Sequence, residues 1–547
     1  MNPIRRPGAL VASLALAVSG VALTSSPAQA ASPDPRPQAI AADWVAGQLV
    51  DGLMPSQFAG FPDYGLTIDT GLGLIAAGGH ATTVSDISDA LAPKVADGYA
   101  EADEYSYPAN QFVQKGIYAG SVAKSLVYAN AAGIADPQAW SGADLLADLE
   151  GRVSGTAPIV GRIVDDSSFG DYANVFGQAF AANALAEASS PKAADALAFL
   201  LKQQCAAGYF RLFFAADKAA TDQTCDGGKA AGESAADPDA TALVIRLLLP
   251  QLDNAAVARA VGKAEGWLLA QQRADGSFIG GTSTAVPNTN STGLAGWALG
   301  ELGDTEAATR AAAWIRGRQA DELAGCANGL TPATGAVGYD SAAVTAATKS
   351  GITSGAAPQW RRSTAAVVPA LHWAPTGAGD LAATGPLGYL HAGRAVSIRV
   401  AGALPGGKFC LTGSGAPVRA TVDTDGKATI TPTLPAGTAN RTLTVTDRDG
   451  NADTVVTKVL GTKTLTVAGA TRVTRNKTVR ITVSGLAAGE AVTLRLRGAT
   501  VATGKATAAG TFVRIVKVGA RLGRAAVAAS GQFADIRHGS KVIRVVR

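Results

Sequence analysis

Aromatic residues are scarce in this chain of 547 residues, 6% of the total against 47% hydrophobic. Its cores must therefore be built from Ala, Leu and Val, which suits closely packed helices better than an aromatic-rich sheet. Long apolar runs are scarcer still. Beyond the first 30 residues none reaches the roughly 20 uninterrupted apolar residues of a membrane span, and residues 240–249, for example, are broken by Arg246. A C-terminal sorting tail is lacking too, because the chain ends Val542-Ile543-Arg544-Val545-Val546-Arg547. No Gly-rich phosphate loop, Ser-His-Asp set or aromatic-basic face stands out, so nucleotide and nucleic-acid partners are not expected. His80 and His372 have no cysteine near them in sequence, so neither a metal nor another cofactor is expected.

What is present begins at the N-terminus. Arg5 and Arg6 precede an apolar run over 9–23, and Pro27 precedes the small-residue site Ala28-Gln29-Ala30. This reads as a signal peptide over 1–30, too short to remain as an anchor, and predicts a secreted protein without a transmembrane segment. Cys205, Cys225, Cys326 and Cys410 all lie in the exported part, where an even count favours disulfides over free thiols. The short Gly- and Asp-containing loop favours Cys205–Cys225, worth about 3 kcal/mol, and leaves Cys326 with Cys410. From Lys463 onward the only acids are Glu490 and Asp535, against a long basic series, while the chain before it is mildly acidic. A basic module on an exported protein suggests an anionic cell-wall polymer or membrane surface; a solvated strand face is the plainer alternative.

Between residues 38 and 375 an amphipathic helix, a Gly-rich turn and a smoother apolar helix recur. Six apolar helices are legible, at 68–75, 119–128, 176–186, 239–245, 291–299 and 363–371. They are nearly free of charge, hence buried; the partners at 192–204, 255–272 and 305–319 carry charge on one face. Buried helices alternating with amphipathic ones suit a closed ring of hairpins. The turns repeat as well: Gln271-Gln272-Arg273-Ala274-Asp275-Gly276-Ser277-Phe278 has a near copy in Gln203-Gln204-Cys205-Ala206-Ala207-Gly208-Tyr209-Phe210. A fainter copy is Asp165-Asp166-Ser167-Ser168-Phe169-Gly170. Glycine would supply a positive-φ turn, the aromatic would tuck beneath it, and Gln would satisfy freed backbone groups.

Trp267-Leu268-Leu269-Ala270-Gln271-Gln272 followed by Asp275-Gly276-Ser277-Phe278 resembles the repeat of the prenyltransferase and squalene-cyclase superfamily, over roughly 38–375. The resemblance implies an all-α (α/α)6 toroid for 31–375 and is weak for activity, since that fold serves many functions. After residue 376 the pattern turns to period two. Arg394-Ala395-Val396-Ser397-Ile398-Arg399-Val400-Ala401-Gly402 returns as Lys477-Thr478-Val479-Arg480-Ile481-Thr482-Val483-Ser484-Gly485. Two all-β Ig-like sandwich modules are therefore predicted, 384–461 and 462–547.

In a closed ring the starts of the inner helices converge. That nominates Tyr64, Asp69, Tyr172, Asn174, Asp237, Asp239, Asn288, Asn290, Trp360 and Arg361 as ligand-binding candidates, with Lys115 and Arg362 nearby. Asp and Asn at helix starts are also ordinary caps, and Asp237-Pro238 reads as N-cap then N1 proline. Class II terpene cyclases, in the resemblance, carry Asp-x-Asp-Asp here. Asp237-Pro238-Asp239-Ala240 is similar but has Ala240 for the last acid, so Asp237 and Asp239 are the catalytic candidates of an incomplete motif. The thioester motif is absent and the zinc site of protein prenyltransferases is not evident; cobalamin carriers share only the layout. Asp447, Asp449 and Asp453 alternate as calcium ligands do, although a hairpin turn explains them too. The reading is an exported binding protein for an apolar or mixed-polarity small molecule or a protein, held at the cell envelope. The alternatives are a cyclase-like or glycan-active enzyme and a structural surface protein.

Overall fold

A computed structural model describes residues 33–547 apart from 59, 282, 283, 285, 324 and 378. The signal peptide read over 1–30 lies outside the described residues. Among the described residues thirteen α-helices come first: α1 (Arg36–Ala46), α2 (Tyr64–Ala77), α3 (Ala81–Lys94), α4 (Ala119–Ala131), α5 (Leu145–Arg152), α6 (Val175–Glu187), α7 (Ala193–Lys202), α8 (Pro238–Leu248), α9 (Ala255–Gln271), α10 (Thr289–Leu302), α11 (Thr305–Arg316), α12 (Ser341–Ser350) and α13 (Ala357–Val367). α2 packs on α4, α4 on α6, α6 on α8, α8 on α10, α10 on α13, and α13 back on α2. That closes a ring of six inner helices. Outside it, α1, α3, α5, α7, α9 and α11 each pack against an inner neighbour. This is an (α/α)6 toroid.

The sequence shows why each helix takes its layer. α6 is buried over nearly its whole circumference, from Val175 through Leu185. Small residues let such helices close up: a Cβ on Gly177 would stand 2.9 Å from the Cα of Gly120 on α4. The repeated turns tie each outer helix to the next. Gln204 Nε2 donates to Gly208 O in its own turn and to Ala260 O of α9, both at 2.8 Å. Gln272 does the same for Gly276 O and Ala307 O of α11, and Gln319 for Gly335 O and Pro37 O of α1. Gly208 and Gly276 have φ of 108° and 87°, and a Cβ on either would stand 2.5 or 2.4 Å from a carbonyl oxygen of the next outer helix. Only glycine fits both conditions.

One repeat copy is placed differently from the sequence reading. The turn equivalent to 208–210 and 276–278 is Gly161-Arg162-Ile163, where Ile163 N meets Gln178 Oε1 as Phe210 N meets Thr241 Oγ1 and Phe278 N meets Thr292 Oγ1. Asp165 and Phe169 belong to the following loop, and Phe169 is exposed. A hairpin of Glu101–Tyr105 and Phe112–Ile117, absent from the sequence reading, precedes α4.

Two sandwiches follow. The first pairs a five-stranded sheet (Tyr389–His391, Ala452–Leu460, Ala439–Asp447, Lys408–Thr412, Val418–Thr421) with a three-stranded one (Ala382–Thr384, Ile398–Ala401, Ala428–Ile430). The second repeats that order with Arg472–Thr474 and Arg537–Val546, then Gly523–Ser530, Ala491–Leu496 and Ala499–Lys505, against Thr466–Ala468, Thr478–Ser484 and Thr511–Lys517. The repeated strand read at 394–402 and 477–485 takes the central place of the small sheet in both. Cys205–Cys225 and Cys326–Cys410 are both disulfides; the second joins the toroid to the first sandwich. Among the described residues no helix is long and apolar enough to cross a membrane.

Candidate functional site

The starts of the inner helices meet neighbour to neighbour. Ala119 N donates to Asp165 Oδ1, Val175 N to Leu212 O, Thr289 N to Tyr339 O, and Arg362 Nη2 to Asp63 Oδ2 at 2.7 Å. One end of the ring therefore gathers six helix N-termini. Four are capped by a side chain: Asp63 accepts from Leu66 N, Asn174 from Gly177 N, Asp237 from Ala240 N and Asn288 from Ser291 N. Four residues after each cap stands the Thr or Gln whose side chain accepts a turn N–H: Thr67, Gln178, Thr241 and Thr292. The caps are thus part of the repeat's own architecture.

At this end a cavity of about 350 Å³ opens between α2, α10 and α13, lined among others by Phe58, Asp63, Asn290, Tyr339, Arg362 and Ser363. Ser363 is fully buried, yet its Oγ has no hydrogen-bond partner among the described residues, nor has Asn290 Oδ1. Pro55, Leu66 and Pro358 supply apolar wall.

Of the ten candidates, Asn290 lines the cavity; Asp239 does not, although its charge reaches Tyr339, which does. Asp239 Oδ1 is buried without a partner among the described residues. Burial first, and then the charge of Asp237, push the Asp239 carboxyl up to about 6, against the opposing hydrogen bonds of Ser291 and Gly281. Burial raises the Tyr339 phenol, and the charge of Asp239 adds to that. Asp237, 3% exposed, is the N-cap of α8. The two aspartates therefore differ: one accepts from a backbone amide, and the other has a buried Oδ1 without a partner among the described residues.

The remaining candidates are spread out. Tyr64 meets the ring of Tyr99 edge-on, and Asp69 pairs with Lys124 of α4 at 2.6 Å. Tyr172 is exposed and donates its hydroxyl to Phe169 O. Asn174 and Asn288 are caps. Trp360, 1% exposed, packs among Ala320, Leu330, Ala336 and Ala347 in an apolar cluster. Arg361 donates to Pro55 O. Lys115 pairs with Glu101 across the hairpin. Asp63, Phe58, Tyr339 and Ser363 were not among the candidates. Asp63 carries the same cap-to-Thr spacing as Asp237 and Asn288; Tyr339 follows Gly335-Ala336-Val337, a copy of the turn in which Val337 stands for the aromatic.

In the first sandwich Asp447 accepts from Asp449 N, Asn451 N and Asn451 Nδ2, and Asp453 from Ala383 N, so these carboxylates hold a turn and a neighbouring strand. Among the described residues no group of three or more His, Cys, Asp or Glu is placed to hold a metal ion.

No protein-family model matches the chain, and neither does any curated protein sequence. Among solved structures it is similar to the unsaturated glucuronyl hydrolase of Bacillus sp. GL1, at 11% identity over 62% of this chain and 95% of that one, with a TM-score of 0.40. It is similar to the type II terpene cyclase MstE from Scytonema, at 19% identity over 45% of this chain and 82% of that one, TM-score 0.27. The human OSCAR ligand-binding domain matches at 15% identity over 30% of this chain and 98% of that one, TM-score 0.21. The toroid is defined by its own helix packing, and these likenesses add no function to it.

Proposed function

We propose that this chain is an exported binding protein whose toroid holds a compact ligand of mixed polarity at the amino ends of α2, α10 and α13. The observation that carries this reading is the pair of polar atoms at the cavity without partners among the described residues, Ser363 Oγ and Asn290 Oδ1. Buried polar groups are normally satisfied, and leaving one unmade costs about 1–3 kcal/mol. One is an acceptor and the other can donate or accept, which suits a ligand bearing hydroxyl or amine groups. Phe58, Leu66 and Pro358 would hold its apolar side. The volume is at the small end of ligand pockets. Export rests on the N-terminal pattern, and the two disulfides fit it.

Native mass spectrometry of protein purified from its own host's medium tests the reading. A discrete extra mass that is lost on denaturation, and is missing from a Ser363→Phe variant that still folds, is the expected result. An extra mass that persists in the variant overturns the cavity as its place.

A second reading has one specific observation behind it. Asp239 occupies the middle position of the incomplete acid motif, and its carboxyl titrates near 6, within reach of general-acid work. Asp239→Asn would abolish any turnover of a linear isoprenoid under this reading, and would leave a binder's extra mass in place.

A further inference from the structure

The second sandwich carries its charge in an unusual arrangement. Sixteen of the chain's 47 Lys and Arg stand from Lys463 onward, with two of its 43 acids. Both acids are engaged. Glu490, fully buried, accepts from Arg537 Nε and Nη2 at 2.6 and 2.7 Å. Asp535 Oδ2 meets His391 and Arg394 of the first sandwich at 2.9 and 3.2 Å. In the large sheet Arg472 stands in register with Arg544, and Arg544 with Arg524. Their chain neighbours Val473, Ile543, Val545 and Ala525 are buried in the core, so the three exposed arginines leave the same face of three adjacent strands. Among the described residues none of the three makes an ion pair.

Strands lie about 5 Å apart, and like charges placed directly opposite destabilise a sheet. Solubility alone is better served by interspersed signs. Nor does the fold demand the row: in the first sandwich the same register holds Tyr389, Lys458 and Asn440.

We infer that Arg472, Arg544 and Arg524 form a docking row for a linear phosphodiester polymer of the cell envelope. A phosphodiester chain carries one negative charge per repeat, and its two free oxygens suit the planar fork of arginine. Successive phosphates along a chain can follow the row. A bilayer is disfavoured because the module has no exposed aromatic to seat in an interface: its two aromatics are Phe512, 2% exposed, and Phe533, packed on His391. This inference is independent of the cavity reading.

The test uses the full mature chain with long-chain inorganic polyphosphate as probe, and polyglutamate and anionic phospholipid vesicles as competitors for the assignment. R472T/R524T/R544T is compared with R480T/K505T/K517T, which removes three exposed cations elsewhere on the module; thermal unfolding checks that both variants fold. The row variant is expected to bind polyphosphate at least tenfold more weakly, with the control within about threefold. The log–log salt slope should fall by roughly two, from about 0.7 per phosphate contact on a single strand. Equal losses in both variants, polyglutamate bound as tightly as polyphosphate, binding to vesicles alone, or no binding at all would each overturn it.

Discussion

The two sandwiches have one strand order and direct their cations differently. In the first, Lys408 is buried against the C-terminal end of α11, donating to Arg316 O and Gln319 O at 3.0 and 2.5 Å. On the neighbouring strand Arg419 Nη2 donates to Asp321 O, and Cys410, its register partner, is bonded to Cys326. The matching register places of the second sandwich hold Ala491, Thr503 and Thr493. Its own buried cation, Arg537, turns inward to Glu490. The duplicated fold thus has one copy fastened to the toroid and one whose arginine row has no ion-pair partner among the described residues. Core and topology tolerate both, because these differences fall on edges and outer faces, where a side chain changes partners without changing packing.

The fastening breaks most visibly at the disulfide. Cys326–Cys410 closes 84 residues, against 20 for Cys205–Cys225. Chain entropy puts the first at about 4–5 kcal/mol and the second at about 3. C326S/C410S is expected to split calorimetric melting, the first sandwich unfolding early and the second unmoved. C205S/C225S should lower the toroid transition alone. A single shared downward shift for both variants would contradict separate fastening.

Lys408 sharpens the same contrast through pH. Burial pushes its ammonium down to about 7, well below the ordinary lysine value. Above pH 7 the folded protein has shed a proton that the unfolded chain still binds, so stability rises with pH until the unfolded value near 10.4. Below pH 7 both states are protonated and the term is flat. Wild type should therefore gain on the order of 2 kcal/mol over Lys408→Met between pH 7 and 9, read from urea midpoints. Parallel pH profiles for the two proteins would show that Lys408 stays charged.

Much of this was legible in the residues, for physical reasons. Inner helices can carry almost no charge, so six nearly uncharged segments mark them, and 119–128 sits within α4 (Ala119–Ala131). The turn repeat was visible where glycine and phenylalanine both recur, at 208–210 and 276–278, and was misplaced where Ile163 stands for the aromatic. The Glu101–Tyr105 hairpin hides because its strands are short and mostly solvated, so period two is blurred. Of the cavity, Asn290 follows from its place at a helix start. Ser363 looks like one more small packing residue, and only the ring shows that its hydroxyl is buried without a partner.

The smallest effect concerns the arginine row itself, in the absence of any ligand. Arg472, Arg544 and Arg524 repel across adjacent strands, and no described carboxylate pairs with them. Threonine suits a strand better than a stacked guanidinium does. R472T/R524T/R544T should therefore raise the stability of the second sandwich by about 0.5–1 kcal/mol at low ionic strength, from cross-strand terms of a few tenths each. Because the three side chains are exposed, the gain should shrink as salt rises past about 0.15 M, where screening acts within about 8 Å. Lys458→Thr in the first sandwich, flanked by Tyr389 and Asn440 rather than by charge, should show no such salt dependence. A triple variant less stable than wild type at every salt concentration would mean that the arginines pack for structure, and the row would lose its reason to be read as a surface kept for a partner.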